Sequence, residues 1–366
     1  MINTTYDIIY LSDSQDLWLF NYFIENKRTE NYELVIIYET TGKITSGHAL
    51  IGYLKKIGIN PALLLSKNKI TTEKFDELIK KCRWFITKDF LPFKSSPKYP
   101  EKIIALSWVG ESLNRTRKKN YEKIVHPGYK KIYAEKSISK VYEHLGHQCI
   151  STSPKYYFLK NNNRESICKI LNLDPGKKYV TVFSNVFFDT NGAGGIGRDS
   201  TLSPRTSEIY KNIVEHCKKN DINIILKNKM KYGDAFKNSV SHDMFHAGAI
   251  SLYHPGISLM AISEFSVGLA TSAAVEAEEI GSRFISFWKD DYLKVDSNLY
   301  EKIVGGSLST YRLAQEKNTY MINTQDNLSD IIDGMGIFMK NSSPVIDYNI
   351  EIDDFIKQEF GEPRNG

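Results

Sequence analysis

Cysteine is scarce in this chain. Four occur in 366 residues (Cys82, Cys149, Cys168 and Cys217), and none stand at metal-ligand spacing. That scatter excludes a structural zinc site and a disulfide framework, and it suits a reduced, cytoplasmic setting. Long apolar runs are missing too: none approaches the roughly 18–20 residues that cross a bilayer. The opening "MINTTYDIIYLSD" lacks the basic-then-apolar order of an export signal. Charge of one sign is also in short supply, with a net +5, so the basic density of a nucleic-acid binder is absent and no nucleic-acid partner is expected. What is present is ordinary for a globular protein, with 41% hydrophobic and 25% charged residues and enough length for two domains.

Short apolar runs alternate with longer amphipathic ones. In the first half, "YDIIYLS" (6–12), "YELVIIYE" (32–39), "RWFITK" and "KIIALSW" (102–108) read as strands. Between them, "SQDLWLFNYFIENK" (14–27), "GHALIGYLKKIG" (47–58) and "TTEKFDELIKKC" (71–82) read as helices, the first capped by Ser14 and the last by a Thr. A Ser-Pro and polar tract near 152–166 breaks the rhythm, which then restarts. "KYVTVFSN", "INIILKN", "AISLYH", "SVGLATS" and "RFISFW" are the strands of the second half; "RTSEIYKNIVEHCKKN", "GISLMAISEF" and "AAVEAEEIG" are its helices. Alternation of this length implies parallel βαβ units, hence an α/β protein of two Rossmann-like domains. The expected division is 1–152, 165–345 and a closing helix within 346–366.

Open parallel sheets bind ligands beyond the carboxyl ends of their strands. The residues that follow each strand are therefore the candidates. After 178–185 comes "SNVFFDTNGAGGIGRDS", where Ser184 and Asn185 close the strand and Gly194, Gly195 and Arg198 lie in a glycine-rich loop whose N–H groups suit phosphate. Lys227 ends the next strand, where an ammonium would neutralise a diphosphate, and His254 ends "AISLYH" beside the presumed cleft. In "LATSAAVEAEEIG", Thr271 and Ser272 open a short helix with Ser272 as its N-cap. Glu276 lies one turn in, on the face that Ser272 shares, and is suited to accept hydrogen bonds from a ribose diol; Glu278 reads as solvated. In the first half, Glu111 follows Trp108 and a turn at Gly110, a position for a general base. Asp13, after the first strand, is a second acid candidate, and Arg115 heads a basic cluster suited to an acidic acceptor or a membrane surface.

Three blocks carry a resemblance. "LGHQCISTSPKYYFLKNNNRESICKILNLDPGKKYVTVFSN" (145–185), "ATSAAVEAEEIGSRFISFW" (270–288) and "SWVGESLNRTRKK" (107–119) resemble the interdomain crossing, the "TDYSS-x-x-x-E" block and the "WHGTPLKK" block of GT-B glycosyltransferases, nearest to the CDP-glycerol glycerophosphotransferase and capsule-polysaccharide transferase group. The resemblance implies two Rossmann-like domains facing across a cleft, a nucleotide-activated donor on the C-terminal domain, Glu276 on ribose, and Ser272 and Thr271 near phosphate. It also implies a C-terminal helix that crosses back to the N-terminal domain. Two departures bear on the chemistry. Val109 stands where that group has a histidine before the glycine, and "LKNKM" keeps Lys227 but lacks the second histidine.

The expectation is therefore a cytoplasmic enzyme that moves a sugar from a CMP-, CDP- or UDP-linked donor to a surface-polysaccharide or glycolipid acceptor, with peripheral contact at the inner membrane face. Glu111 is the expected base, and Asp290–Asp291 in "WKDDY" reads as a surface turn, so neither metal nor cofactor is expected. Polyol-phosphate transfer, sugar-nucleotide 2-epimerisation and a non-catalytic binding subunit are the alternatives.

Overall fold

The computed structural model describes residues 6–11, 34–38, 47–56, 58–88, 98–106, 131–133, 143, 149–150, 156–160, 162–183, 204–228, 237, 240–246, 254–269, 273–288, 318–323, 326–341 and 346. Their strands form two all-parallel sheets, one from each half of the chain. The first joins β1 (Tyr6–Leu11), β2 (Leu34–Tyr38), β3 (Leu63–Ser66), β4 (Cys82–Lys88), β5 (Ile103–Leu106), β6 (Lys131–Tyr133) and β7 (Cys149–Ile150) in the order β3-β2-β1-β4-β5-β6-β7. The second joins β8 (Lys178–Phe183), β9 (Ile222–Lys227), β10 (Met244–His246), β11 (Phe265–Leu269), β12 (Phe284–Trp288) and β13 (Thr319–Asn323) in the order β10-β9-β8-β11-β12-β13. Both orders reverse beside their first strand, at β1/β4 and at β8/β11. These are the switch points of doubly wound folds, and the second sheet has the Rossmann order itself. Each half is thus the expected Rossmann-like α/β layer, and together they are the architecture of a GT-B fold.

The strands are continuous apolar runs because both faces of a parallel sheet are covered. Val35, Ile36 and Ile37 of β2, like Val180 and Val182 of β8, are wholly buried. Helices α1 (Gly47–Lys56) and α2 (Thr72–Lys81) belong to the first half. The second half carries α3 (Tyr157–Lys160), α4 (Arg164–Leu171), α5 (Pro204–Lys219), α6 (Pro255–Ile262), α7 (Ala273–Glu279) and α8 (Leu328–Lys340). Helix α2 buries Phe75, Leu78 and Ile79 at helical spacing, and Thr71 caps it, accepting from Lys74 N at 3.3 Å. In α5 the buried side is Ile209, Ile213 and Cys217; in α8 it is Ile331, Met335 and Met339. Helix α6 is different: every residue after Pro255 is buried, because it packs between the sheet, α4 and α7.

Chain reversals follow backbone chemistry. Helix α7 ends in a Schellman motif, with Ser282 N donating to Ala277 O at 2.7 Å and Gly281 N to Glu278 O at 3.1 Å. Gly281 takes φ 73°, a conformation glycine adopts without strain. Asn172 makes the same left-handed cap after α4, with φ 57°. The core of the second half begins at Tyr156: Tyr156, Phe158 and Leu159 pack with residues of β8 to β13. Buried Cys82, Cys168 and Cys217 are free thiols, and burial pushes Cys82 and Cys217 up to about 12, so they stay protonated and inert.

Candidate functional site at the carboxyl edge of the second sheet

The strand after β9 is Met244–His246, upstream of the "AISLYH" run that the sequence favours for it; residues 249–253 lie outside the described residues. Register puts Phe183 of β8 beside Lys227 of β9, and Lys227 beside His246 of β10. Cross-strand partners share a face, so these three side chains stand in a row at the carboxyl edge. Lys227 Nζ donates to Asn228 O at 3.0 Å, and Asn228 N donates to His246 O at 2.8 Å. Asn228 is fully buried directly after the strand. Burial first, then the neighbouring ammonium of Lys227, pushes His246 below the usual histidine range, which keeps its ring neutral at pH 7. His246 and Asn228 are additions to the sequence-derived set. The sequence signal for Asn228 is its place at the end of "INIILKN", while His246 closes a three-residue strand that hardly announces itself.

His254 caps α6. Its backbone is extended (φ −64°, ψ 102°), its Nδ1 accepts from Ile257 N at 3.3 Å, and Pro255 opens the helix. An accepting Nδ1 carries no proton, so the neutral ring holds its proton on Nε2. A Cβ on Gly256 would stand 3.4 Å from His254 Cε1 and 3.5 Å from Phe183 Cε1, so the imidazole and the ring that ends β8 flank the same point beside Gly256. Lys227, His246 and His254 thus gather around the ends of β8, β9 and β10, on the side of the sheet that α6 covers. The same side is marked by the Thr181 and Ser263 hydroxyls, 2.9 Å apart.

Helix α7 leaves β11, next to the β8/β11 switch point, and begins at Ala273, the residue after Ser272. Glu276 sits in its first turn and is 3% exposed, against the ordinary preference of a carboxylate for water. Ala273, Ala274 and Ala277 are buried beside it, small enough to let the helix lie close on β12 and α6. Glu278 corrects the expectation of a solvated acid. It is half-buried, and its Oε1 accepts from Thr319 Oγ1 at 2.6 Å and from Asn318 N at 3.1 Å.

The remaining candidates, Asp13, Gly110, Glu111, Arg115, Ser184, Asn185, Gly194, Gly195, Arg198, Thr271 and Ser272, lie outside the described residues, as do the closing helix and Asp290–Asp291. Gly192, Gly194 and Gly197 stand at G-x-G-x-x-G spacing. The run starts nine residues beyond Phe183, not at the strand end where the dinucleotide fingerprint belongs, so it adds little alone. Among the described residues, no three His, Cys, Asp or Glu side chains gather as a metal site would need, and no helix is long and apolar enough to cross a membrane.

Comparison with known proteins agrees with the fold. A Listeria monocytogenes protein described as a UDP-N-acetylglucosamine 2-epimerase aligns with a TM-score of 0.51 and 8% identity over 93% of this chain and 92% of its own. The UDP-GlcNAc 2-epimerase of Methanocaldococcus jannaschii, in complex with UDP-GlcNAc and UDP, aligns with a TM-score of 0.51 and 12% identity over 94% and 97%. Escherichia coli ADP-heptose lps heptosyltransferase II also aligns, over 92% of this chain and 98% of its own with 9% identity, but its TM-score of 0.40 is too distant to bear on function. No family model matches the chain, and no curated protein matches it significantly.

Proposed function

We propose that this chain is a glycosyltransferase that binds a nucleotide-activated sugar, CMP-, CDP- or UDP-linked, on its second sheet and passes the sugar to a surface glycan or glycolipid. The observation that carries the reading is the buried carboxylate of Glu276 in the first turn of the helix leaving the β8/β11 switch point. A carboxylate held at that place, beside the switch point where open parallel sheets take their ligands, is suited to accept hydrogen bonds from the two hydroxyls of a ribose. In this reading Ser272 and Thr271 hold the phosphate, with Ser184, Asn185, Gly194, Gly195 and Arg198 around it. Lys227 and His254 complete that seat. Gly110 and Arg115 receive the acceptor.

Glu111 takes the proton of the acceptor hydroxyl as its oxygen bonds to the anomeric carbon, while the bond from that carbon to the phosphate oxygen breaks. The nucleotide departs with the electron pair, and N–H groups, Lys227 and Arg198 stabilise its charge in place of a metal. Asp13 is the alternative base. In this reading the protein is cytoplasmic and makes peripheral contact with the inner face of the membrane.

Calorimetry with CMP, CDP, UDP and GDP tests the reading on wild type and Glu276→Ala. One nucleotide is expected to bind, and the variant is expected to bind it about 10–100-fold more weakly, the worth of hydrogen bonds to a charged group. Failure of all four to bind, or equal binding by the variant, overturns it. The 2-epimerase alignments favour a second reading, sugar-nucleotide epimerisation. NMR of a nucleotide sugar incubated with the protein but no acceptor separates the two, since only an epimerase accumulates the C2 epimer.

A further inference from the structure

We propose that Glu278 is a positioning residue: through its bonds to β13 it sets the rotation of α7 and thereby aims Glu276 at the nucleoside ribose. The proposal rests on the reading of Glu276 given above. Its geometric basis is independent of that reading.

Helix α7 has only seven residues, and its buried apolar side chains among the described residues, Ala273, Ala274 and Ala277, are the smallest that still pack. Methyl groups lock poorly into a sheet surface, so apolar contact alone defines the rotation of such a helix weakly. A helix advances about 1.5 Å and about 100° per residue, so Glu276 and Glu278 stand about 3 Å apart along the axis and about 200° apart around it. Glu278 spends its side on the start of β13, where Oε1 takes both the Thr319 hydroxyl, at 2.6 Å, and the Asn318 amide, at 3.1 Å. Glu276 is then turned to the other side of α7, away from β13.

The placement of Glu278 is also unfavourable on local grounds. It lies in the last turn of α7, which holds no basic residue, where the carbonyl end of the helix repels a carboxylate. An acid at that position with two donors at the start of β13, about forty residues on, is better explained by the tether than by helix stability. A rotation of α7 by a fraction of a turn moves the Glu276 carboxylate out of hydrogen-bond reach of a fixed ribose, because such bonds weaken steeply off their geometry.

The test compares affinity for the nucleotide that wild type binds with that for its 2′-deoxy form, in wild type, Glu278→Gln, Glu278→Ala and Thr319→Val. Wild type is expected to favour the ribonucleotide by about tenfold or more, as a lost bond to a charged group implies. Glu278→Gln keeps an acceptor oxygen and should keep that ratio. Glu278→Ala should bring it to within about threefold of unity, with Thr319→Val between. A loss of stability alone weakens both nucleotides equally and leaves the ratio unmoved, so a preserved ratio in Glu278→Ala overturns the proposal while leaving the role of Glu276 standing. Absence of nucleotide binding by wild type overturns both. If Glu278→Ala does not fold, Thr319→Val decides: an unchanged ratio there overturns the proposal.

Discussion

Two glycines of α8 make opposite predictions from one helix. Gly334 and Gly336 both lie inside Leu328–Lys340, where glycine costs about 0.8–1 kcal/mol relative to alanine. Around Gly336 nothing lies within 4 Å of where a Cβ would stand, so Gly336→Ala should recover that cost in full. At Gly334 the new methyl would overlap the Tyr320 hydroxyl and come to 3.0 Å from Cζ and 3.3 Å from Cε2. The tyrosine yields poorly, because its ring stacks on Phe338 with centroids 5.6 Å apart. Overpacking of this kind costs about 1–3 kcal/mol, which cancels or exceeds the propensity gain. The two variants should therefore differ by about 1–3 kcal/mol. At roughly 2–4 °C per kcal/mol for a unit of 150–250 residues, that is a difference a thermal melt resolves. Gly334→Ala in a Tyr320→Phe background should recover part of the difference, since the hydroxyl is gone and Cζ remains. Equal stabilisation by both alanines would refute the packing argument.

Acidification should weaken the second half of the chain. His216 is pushed below the usual 6.5 by burial and by Lys340, Arg283 and Lys219, and His246 by burial and Lys227. Above 6.5 both rings are neutral folded or unfolded; below it the unfolded chain takes protons that the folded one refuses, so stability falls with pH. Melts from pH 7.5 to 5.5 should show this, with a shallower slope for His216→Gln/His246→Gln; an unchanged slope would sink the assignment. In the first sheet, Asp7 is wholly buried and takes Arg83 Nη2 at 2.8 Å, Arg83 Nε at 3.2 Å and Trp84 N at 3.2 Å. Asp7→Ala should cost about 3 kcal/mol in urea unfolding, at the low end for a broken buried pair because Arg83 reaches water; a loss under 1 kcal/mol would contradict the pairing.

What was legible in the sequence was what is local. The apolar runs of β8, β9, β11 and β12, the Thr71 cap and the glycine after α7 are each set by a few consecutive residues, and the structure has them where the pattern puts them. The Rossmann rhythm then constrains the sheet, because parallel strands need crossovers of this length. Short strands escaped. Lys131–Tyr133 and Met244–His246 have three residues each, too few for a period, and Thr319–Asn323 is polar at both ends. Glu278 escaped for a different reason. Its partners stand 40 and 41 residues away, so a run of acids on an Ala-rich helix reads as surface until the strand that receives one of them is placed. The burial of Glu276 is likewise a property of packing: helical spacing puts it on the face of Ser272, and only the contact of α7 with β12 and α6 takes it out of water.

The direction of the sheet ranks polar residues that composition leaves equal. Arg283, His216 and Lys340 are as basic as Lys227 and the histidines of the candidate site, and Arg283 is 4% exposed. Yet Arg283 precedes β12, while His216 and Lys340 end helices that run back to the amino edge. There the guanidinium lies 4.3 Å from the Phe338 ring centroid and donates to Asn341 O at 2.8 Å, so it ties α8 to β12. The lysines face the carbonyl ends of α5 and α8, which such charges offset. At the carboxyl edge the order is reversed. Lys227 and His246 close strands and Glu276 opens a helix, where the crevice of an open parallel sheet receives its ligand. At the amino edge Arg283 is tied into the fold through Phe338 and Asn341, and at the carboxyl edge Lys227 and His246 stand at the strand ends. Strand direction, fixed by the all-parallel pairing of β8 to β13, decides which edge each residue occupies.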